Sequence, residues 1–503
     1  MSESAIPAAD PQTSAADRSR WIALVVLCVG ALMIILDMTI VNVALPSIQH
    51  DLGFTQSNLA WVVNAYLITF GGLLLLAGRL GDLIGRRNVF LVGLAVFVAA
   101  SALCGAAQSQ TVLIVARFAQ GVGGAMASAV ILGMIVTMFP DRGEQAKAIG
   151  VFSFVASAGA SIGLLLGGVI TQAINWHWIF FVNLPIGVAT AVLAVRLVGR
   201  DQGIGLRGGA DVTGAALVTG ALMLGVYTIV KTQSYGWGSA RTLGMGAVAV
   251  ALLAAFVGWE SRTRNPLMPL RIFRSRNVSG ANLVQMLFIA GMFGMFFLGS
   301  LYMQRVLGYS ALQIGLAFLP VAVLIGTFSL GLSARLNMSF GPRAVLIPSL
   351  ILGAGGLALL TRTPVHASYL ADLLPSMVLI GVGAGLSFPA LMTLAMSSAD
   401  PTDAGLASGL VNTTQQVGGA LGLAVLATLA STHTQNLLHS GKTNAAALTS
   451  GYHLAWAIGT VLLIAAVGAA LAVLRPAAVT AAVGEVEEER VEATREPGYA
   501  EAA

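Results

Sequence analysis

The chain has 503 residues, 57% of them hydrophobic and only 9% charged, with a formal net charge of +5 and a mean hydropathy of +0.85. So few charges cannot cover the surface of a soluble protein of this length, which excludes the soluble classes and indicates a polytopic, all-α membrane protein. The positive balance invites a nucleic-acid reading, which the placement of the basic residues removes.

Residues 1–20, with Asp10, Pro11 and Asp17, read as a short disordered tail and carry no cleavable signal. Apolar runs of about 20 residues then recur fourteen times, near 21–44, 58–77, 88–107, 111–138, 146–171, 178–199, 212–231, 241–259, 277–304, 310–335, 343–361, 369–397, 404–431 and 452–474. An even number puts both termini on one side. If that side is cytoplasmic, the cytoplasmic segments hold twenty Lys and Arg residues against five outside, the asymmetry expected of inner loops. The basic charge is therefore topological, and no nucleic-acid partner is expected. Cys28 and Cys104 each fall in an apolar run and read as small core residues, with neither a disulfide nor a metal site.

The first run contains "IILDMTIVNVALPSI" (34–48), with Asp37 deep among apolar residues. A carboxylate at the bilayer centre costs about 2.5–3.5 kcal/mol on insertion scales. One basic residue also lies within a run: Arg117 of the fourth. Counted from the outer ends of their runs, both sit ~9 Å deep at 1.5 Å per residue, so each charge makes the other tolerable. The pair is either a permanent lock on helix register or a proton-exchange site, because desolvation raises a carboxyl pKa and a nearby guanidinium lowers it. Between the second and third runs stands "GRLGDLIGRR" (78–87). Gly78, Gly81 and Gly85 allow close backbone approach, and Asp82 can pair with Arg86 and Arg87; the plainer reading is a polar loop.

The fourth run continues as "RFAQGVGGAMASA" (117–129), and the fifth carries Gly150, Gly159, Gly163, Gly167 and Gly168. Small residues four apart let helices pack tightly; the functional reading is that this contact joins two halves of the chain. "GLSARLNMSFGPR" (331–343) repeats the glycine and basic pattern of 78–87. Paired halves are how many transporters build a site. Residues 21–199 and 277–474 then form two six-helix halves, 200–276 an inserted helix pair with its cytoplasmic linker, and 475–503 a charged cytoplasmic tail.

In the ninth run Asn282, Gln285, Ile289, Met292 and Phe296 share one helical face, either against lipid and neighbouring helices or as an adaptable cavity wall. Asn42, Asn64, Tyr66, Asn412, Gln415 and Gln416 are further cavity candidates, since buried amides need partners. Three apparent enzyme motifs lack the setting their chemistry needs. "GASIG" (159–163) sits in an apolar run, "GIGLRG" (203–208) follows no strand, and "HSGKTN" (439–444) lacks the first glycine of a phosphate loop. The chain is not read as an enzyme, and with no ATP site transport must draw on an ion gradient.

Taken together, "LDMTIVNVALPSI" (36–48), "GRLGDLIGRR", "LIVARFAQGVGGA" (113–125), "WHWIFFVNLPIG" (176–187) and "GLASGLVNTTQQVGGALG" (405–422) resemble the fourteen-helix drug:proton antiporter family of the major facilitator superfamily, along nearly the whole chain. The resemblance implies the major facilitator fold, with fourteen transmembrane helices as two six-helix halves plus two inserted helices. It implies proton coupling through Asp37 and Arg117, a conformational role for the 78–87 motif, and an antiporter motif at Gly159, Gly163, Gly167 and Gly168. That last motif departs from the family pattern, because Leu164 stands where proline is expected. The implied activity is proton-driven export of lipophilic or amphiphilic drugs by a monomer in a bacterial cytoplasmic membrane, using the proton gradient and no cofactor. A dedicated transporter of one endogenous metabolite and a non-transporting scaffold or receptor are the other readings.

Overall fold

Helices satisfy every backbone N–H and C=O inside lipid, and the computed structural model is helical throughout its described residues, 11–201, 203, 205, 211–264, 266–396 and 404–475. The helices of the first half are α1 (Pro11–Leu52), α2 (Gln56–Ile84), α3 (Arg86–Gly105), α4 (Gln110–Met138), α5 (Arg142–Ala173), α6 (Trp178–Phe181) and α7 (Asn183–Leu197). Then come α8 (Val212–Tyr235) and α9 (Ala240–Glu260). The second half holds α10 (Arg276–Arg305), α11 (Ala311–Thr327), α12 (Ser333–Phe340), α13 (Pro342–Leu360), α14 (Leu374–Met396), α15 (Ala404–His439) and α16 (Asn444–Val473). Among the described residues twelve segments are long and apolar enough to cross a bilayer, and two shorter apolar helices, Ile162–Ala173 and Ala311–Thr327, accompany them. Twelve spans thus stand on length and composition, against the fourteen expected. α11 is short because it passes into a π-helical turn, Phe328–Leu332, before α12.

One expectation is corrected at the N-terminal end. The tail was expected to extend to residue 20, but α1 is already helical from Pro11, where a first-turn proline sacrifices no hydrogen bond; residues 1–10 and the charged tail from 476 lie outside the described residues. The segment 331–343, which repeats the pattern of 78–87, is helical to Phe340. Its turn is confined to Gly341, at φ +81°, and the turn after α2 is confined to Gly85, at φ +92°. Only glycine adopts that backbone without strain, so the repeat seen in the sequence is a repeated turn. "GASIG" lies inside α5, and "HSGKTN" is the turn between α15 and α16, so neither has a strand-turn-helix setting.

Within the first half α3 packs on α4, α2 on α4 and α1 on α5 and α7; within the second, α10 packs on α15 and α16, and α13 on α14 and α16. The halves meet along α2–α15 and α5–α11. The α5 glycines divide between these tasks, which corrects the expectation that all of them join the halves. A Cβ on Gly159 would lie 2.9 Å from Leu32, and one on Gly167 2.7 Å from the Ile40 carbonyl; Gly163 likewise faces Thr39. These three seat α1 in its own half. Only Gly168 reaches across, where a Cβ would lie 2.8 Å from the Ala311 carbonyl of α11. Leu164 is buried there, and its carbonyl faces Gly315; α5 runs through this position unbroken.

The inserted pair α8–α9 packs through α8 on both α2 and α15. At its base the Asp211 carboxylate accepts from the Gly214 N–H and the Trp259 indole N–H, both at 2.8 Å, while Glu260 accepts from the Met268 N–H at 3.0 Å. These bonds fix the pair to the linker that enters the second half.

The tightest glycine contact with backbone in "RFAQGVGGAMASA" is at Gly123, where a side chain would strike the backbone of Phe97. Backbone cannot yield as a side-chain tip can, so Gly123→Val should destabilise by about 1–3 kcal/mol. Gly258→Ala, with open space at the Cβ, should be nearly silent. Thermal unfolding in detergent measures both, and equal transitions would sink the packing account.

Candidate functional site

Asp37 on α1 and Arg117 on α4 meet directly. Arg117 Nη1 donates to Asp37 Oδ2 at 2.6 Å, and the two side chains are 2% and 0% exposed, arginine first. The two side chains that the sequence reading paired are thus in direct contact. Around the pair stand three residues the sequence reading left out. Gln120, one turn after Arg117, donates from Nε2 to Asp37 Oδ1 at 2.7 Å and accepts at Oε1 from Arg117 Nη1, also at 2.7 Å. Carboxylate, guanidinium and amide therefore form a closed ring. Asn183, first residue of α7, donates to Asp37 Oδ1 at 3.0 Å. Ser101 on α3 accepts from Gln120 Nε2 at 2.8 Å and donates to the Phe97 carbonyl.

The guanidinium is held on its other side as well. Its Nε donates to the Val62 carbonyl at 2.8 Å, and its carbon lies 4.5 Å from the Tyr66 ring centroid, a cation–π distance. Cys104, a free thiol, reaches Gln120 Oε1 at 3.6 Å. The chemistry follows from the donor count. Asp37 accepts three hydrogen bonds, all from groups that donate to it and offer it no acceptor. Within the closed ring Asp37 therefore acts as an acceptor only.

The 78–87 motif forms a second cluster. Asp82 pairs with Arg86 at 3.2 Å, partly exposed, and Arg86 also donates to the Gly133 carbonyl of α4 at 3.1 Å. Arg87 does not join Asp82, as had been expected; its guanidinium donates to the Val195 carbonyl of α7. The residue missed here is Asp201, which accepts from the N–H groups of Arg86 and Arg87 at 2.6 and 3.2 Å and so caps the start of α3. Gly81 abuts Val130, but Gly78 has open space around its Cβ position and needs no close approach.

The cavity candidates separate. On α10, Asn282, Gln285, Ile289 and Met292 are buried, which removes the lipid-facing reading of that face. Asn282 accepts from Thr414 at 2.8 Å, Gln285 donates to Gln415 at 3.5 Å, and Phe296 packs on Phe318 of α11. Asn64, Tyr66 and Gln416 are buried as well. Asn42 is spent on the carbonyls of Met38 and Thr39 in its own helix, and Asn412 is exposed. Among the described residues no cluster of His, Cys, Asp or Glu could hold a metal.

Residues 27–423 match the family model of the Major Facilitator Superfamily. The chain is 39% identical over 470 residues to the puromycin resistance protein of Streptomyces alboniger, spanning 92% of this chain and 93% of that protein. It is 39% identical to the cephamycin export protein of Amycolatopsis lactamdurans, over 81% of this chain and 84% of that one. It is 32% identical to a multidrug transporter of Bacillus subtilis, over 80% and 74%. Among solved structures, a bacterial homolog of the human lysosomal transporter Spinster, inward-facing and unoccupied, superposes with a TM-score of 0.64 at 16% identity, covering 90% of this chain and 96% of its own; at that identity the likeness concerns the fold.

Arg117→Ala would leave a buried carboxylate with neutral donors only, which typically costs about 3–5 kcal/mol. That loss should shrink when Asp37→Asn is added, because the uncompensated charge is then removed. Thermal unfolding of the single and double variants measures this; a loss unrelieved by Asp37→Asn would show that Arg117 acts through packing alone.

Proposed function

The chain belongs to the Major Facilitator Superfamily, and from that premise we propose that it exports lipophilic or amphiphilic compounds in exchange for protons. It is a transporter, not an enzyme. The observation that carries the exchange is the closed ring: the carboxylate is ionised while Arg117, Gln120 and Asn183 hold it, and a proton can enter only when the ring opens. Substrate binding that draws α1 and α4 into the closed arrangement expels the proton, and protonation from outside resets it. Conformation and proton occupancy thus select one another.

In this reading all fourteen apolar helices cross the membrane, α5 and α11 included, and 21–199 and 277–474 rock as two halves about the α2–α15 and α5–α11 seams. Both termini lie in the cytoplasm of a bacterial cell, as the Lys and Arg asymmetry supports. The Asp82–Arg86 cluster lies at the inner end and biases the two states. The working unit is a monomer, and the proton gradient supplies the energy with no cofactor. A second reading, export of one natural product made by the same cell, is favoured by relatives whose names each give a single antibiotic. Export of chemically unrelated compounds by one chain would argue against it.

The test is substrate-induced proton release from detergent-solubilised protein, together with efflux in a pump-deficient bacterial host. Asp37→Asn should abolish both, because the amide cannot titrate; it also leaves the buried Arg117 without its counter-charge, so thermal unfolding should show a loss of about 3–5 kcal/mol, and the variant is assayed where it remains folded. Gln120→Leu removes one donor from the charged form, a contribution of about 1.5–3 kcal/mol. The closed ring should then be weakened and efflux at neutral pH should fall on the order of ten-fold or more. Proton release unchanged in Asp37→Asn would remove that residue from coupling and the proposal with it.

A further inference from the structure

Outside the ring, buried polar atoms without a partner stand on the helices of the seam: hydroxyls, among them Thr171, Thr219 and Thr413, and a set of amides. α15 carries two glutamines in succession. Gln415 accepts from Gln285 of α10 at 3.5 Å, and Gln416 faces α2, its Cβ 2.7 Å from where a Cβ on Gly71 would stand. Asn64 lies seven residues before Gly71, two turns along α2 and therefore on the same face. Asn64 is 0% exposed, Gln285 2% and Gln416 5%. Even so, both amide atoms of Asn64, Gln285 Oε1 and Gln416 Oε1 lack a hydrogen-bond partner. Each such orphan costs about 1–3 kcal/mol, and interiors keep them where something else completes the bond. These three amides belong to helices of both halves, at the place where a transported molecule would be enclosed.

The seam also lacks a counter-charge. Of 21 acidic residues, Asp37 stands in the interior of a span, whereas Asp51, Asp82, Glu144, Glu260 and Asp372 each lie within three residues of a helix end. Arg117 is likewise the one basic residue deep in a span. The interior charge therefore sums to zero when Asp37 is ionised and to +1 when it is protonated. It is never negative. In an exchange cycle the substrate is bound while the proton is absent, so it meets an interior of zero net charge. A permanent cation entering there would lose its hydration with no carboxylate to receive it, because the only one is already held by three donors.

We infer that the substrate crosses as an uncharged molecule, recognised by hydrogen bonds to Asn64, Gln285 and Gln416. The inference rests on the proton exchange proposed above and adds the class of cargo. In a pump-deficient bacterial host, uncharged chloramphenicol, florfenicol and linezolid are compared with the permanent cations ethidium and tetraphenylphosphonium. The expected result is several-fold lower accumulation of at least one uncharged compound, lost in Asp37→Asn, and unchanged accumulation of both cations. Gln285→Glu, which places a carboxylate at the seam, should add ethidium export. Asp37-dependent export of either cation by the unaltered chain overturns the inference and leaves the exchange intact. Asp37-dependent export of neither class removes the exchange reading, and the inference falls with it. A Gln285→Glu chain that still exports the uncharged compound but gains no ethidium export removes Gln285 from the contact surface.

Discussion

The first half is organised by a charge that lipid does not tolerate. A carboxylate and a guanidinium without solvent each cost several kcal/mol to bury, and their mutual attraction offsets this only when the remaining lone pairs and N–H groups are also satisfied. Asp37 and Arg117 achieve it by drawing in Gln120 from α4, Ser101 from α3, Asn183 from α7 and the Val62 carbonyl from α2. Five helices must therefore hold polar atoms at one depth. The glycines that let α1 seat on α5 and α3 on α4 serve that convergence, since a Cβ at any of them would push apart helices whose polar atoms meet at separations of about 3 Å or less.

The second half repeats the architecture without repeating the charge. Gly85 and Gly341 make the same left-handed turn at corresponding places, and α10 and α15 pack as closely as their counterparts, with Gly418 and Gly422 against the α10 backbone. Yet the polar atoms there are neutral: Asn282 with Thr414, Gln285 with Gln415. A neutral amide can exchange one hydrogen-bond partner for another at little cost, whereas a buried ion cannot. The buried ion pair is accordingly confined to the first half, and neutral amides lie along the seam.

What the sequence disclosed followed from scarcity. Asp37 and Arg117 were paired from the sequence because two opposite charges at equal depth in apolar runs had no other partners. Gln120, Ser101 and Asn183 escaped because neutral polar side chains are common in helices and can bond to their own backbone, as Thr69 and Ser300 do. Their signal was present in the register. Gln120 is three residues after Arg117 and so shares its face, and Asn183 follows the break between α6 and α7. Asp201 was hidden by distance, more than a hundred residues from the α3 start that it caps. The glycines of α5 showed tight packing but not the partner, because a stripe of small residues specifies a close approach without saying which helix approaches.

The inserted pair limits how the halves can move. α8 lies against both α2 and α15: Thr219 fills the space where Gly72 has no side chain, and Tyr227 packs on Trp61 at 6.5 Å between ring centroids. A helix in contact with both sides of a seam cannot remain fixed to both while they rotate apart. Both of these contacts are with α2 and they differ in kind: small residues pressed backbone-close, as at Gly72, leave no room for a rotamer change, whereas ring-on-ring contact such as that at Trp61 tolerates sliding. The base of the pair is tied to the linker through the Glu260–Met268 bond, beside the Asp211–Trp259 bond that joins α8 to α9. α8 therefore bridges the seam between α2 and α15, and its close contacts at Gly72 and Trp61 tie it to the first half.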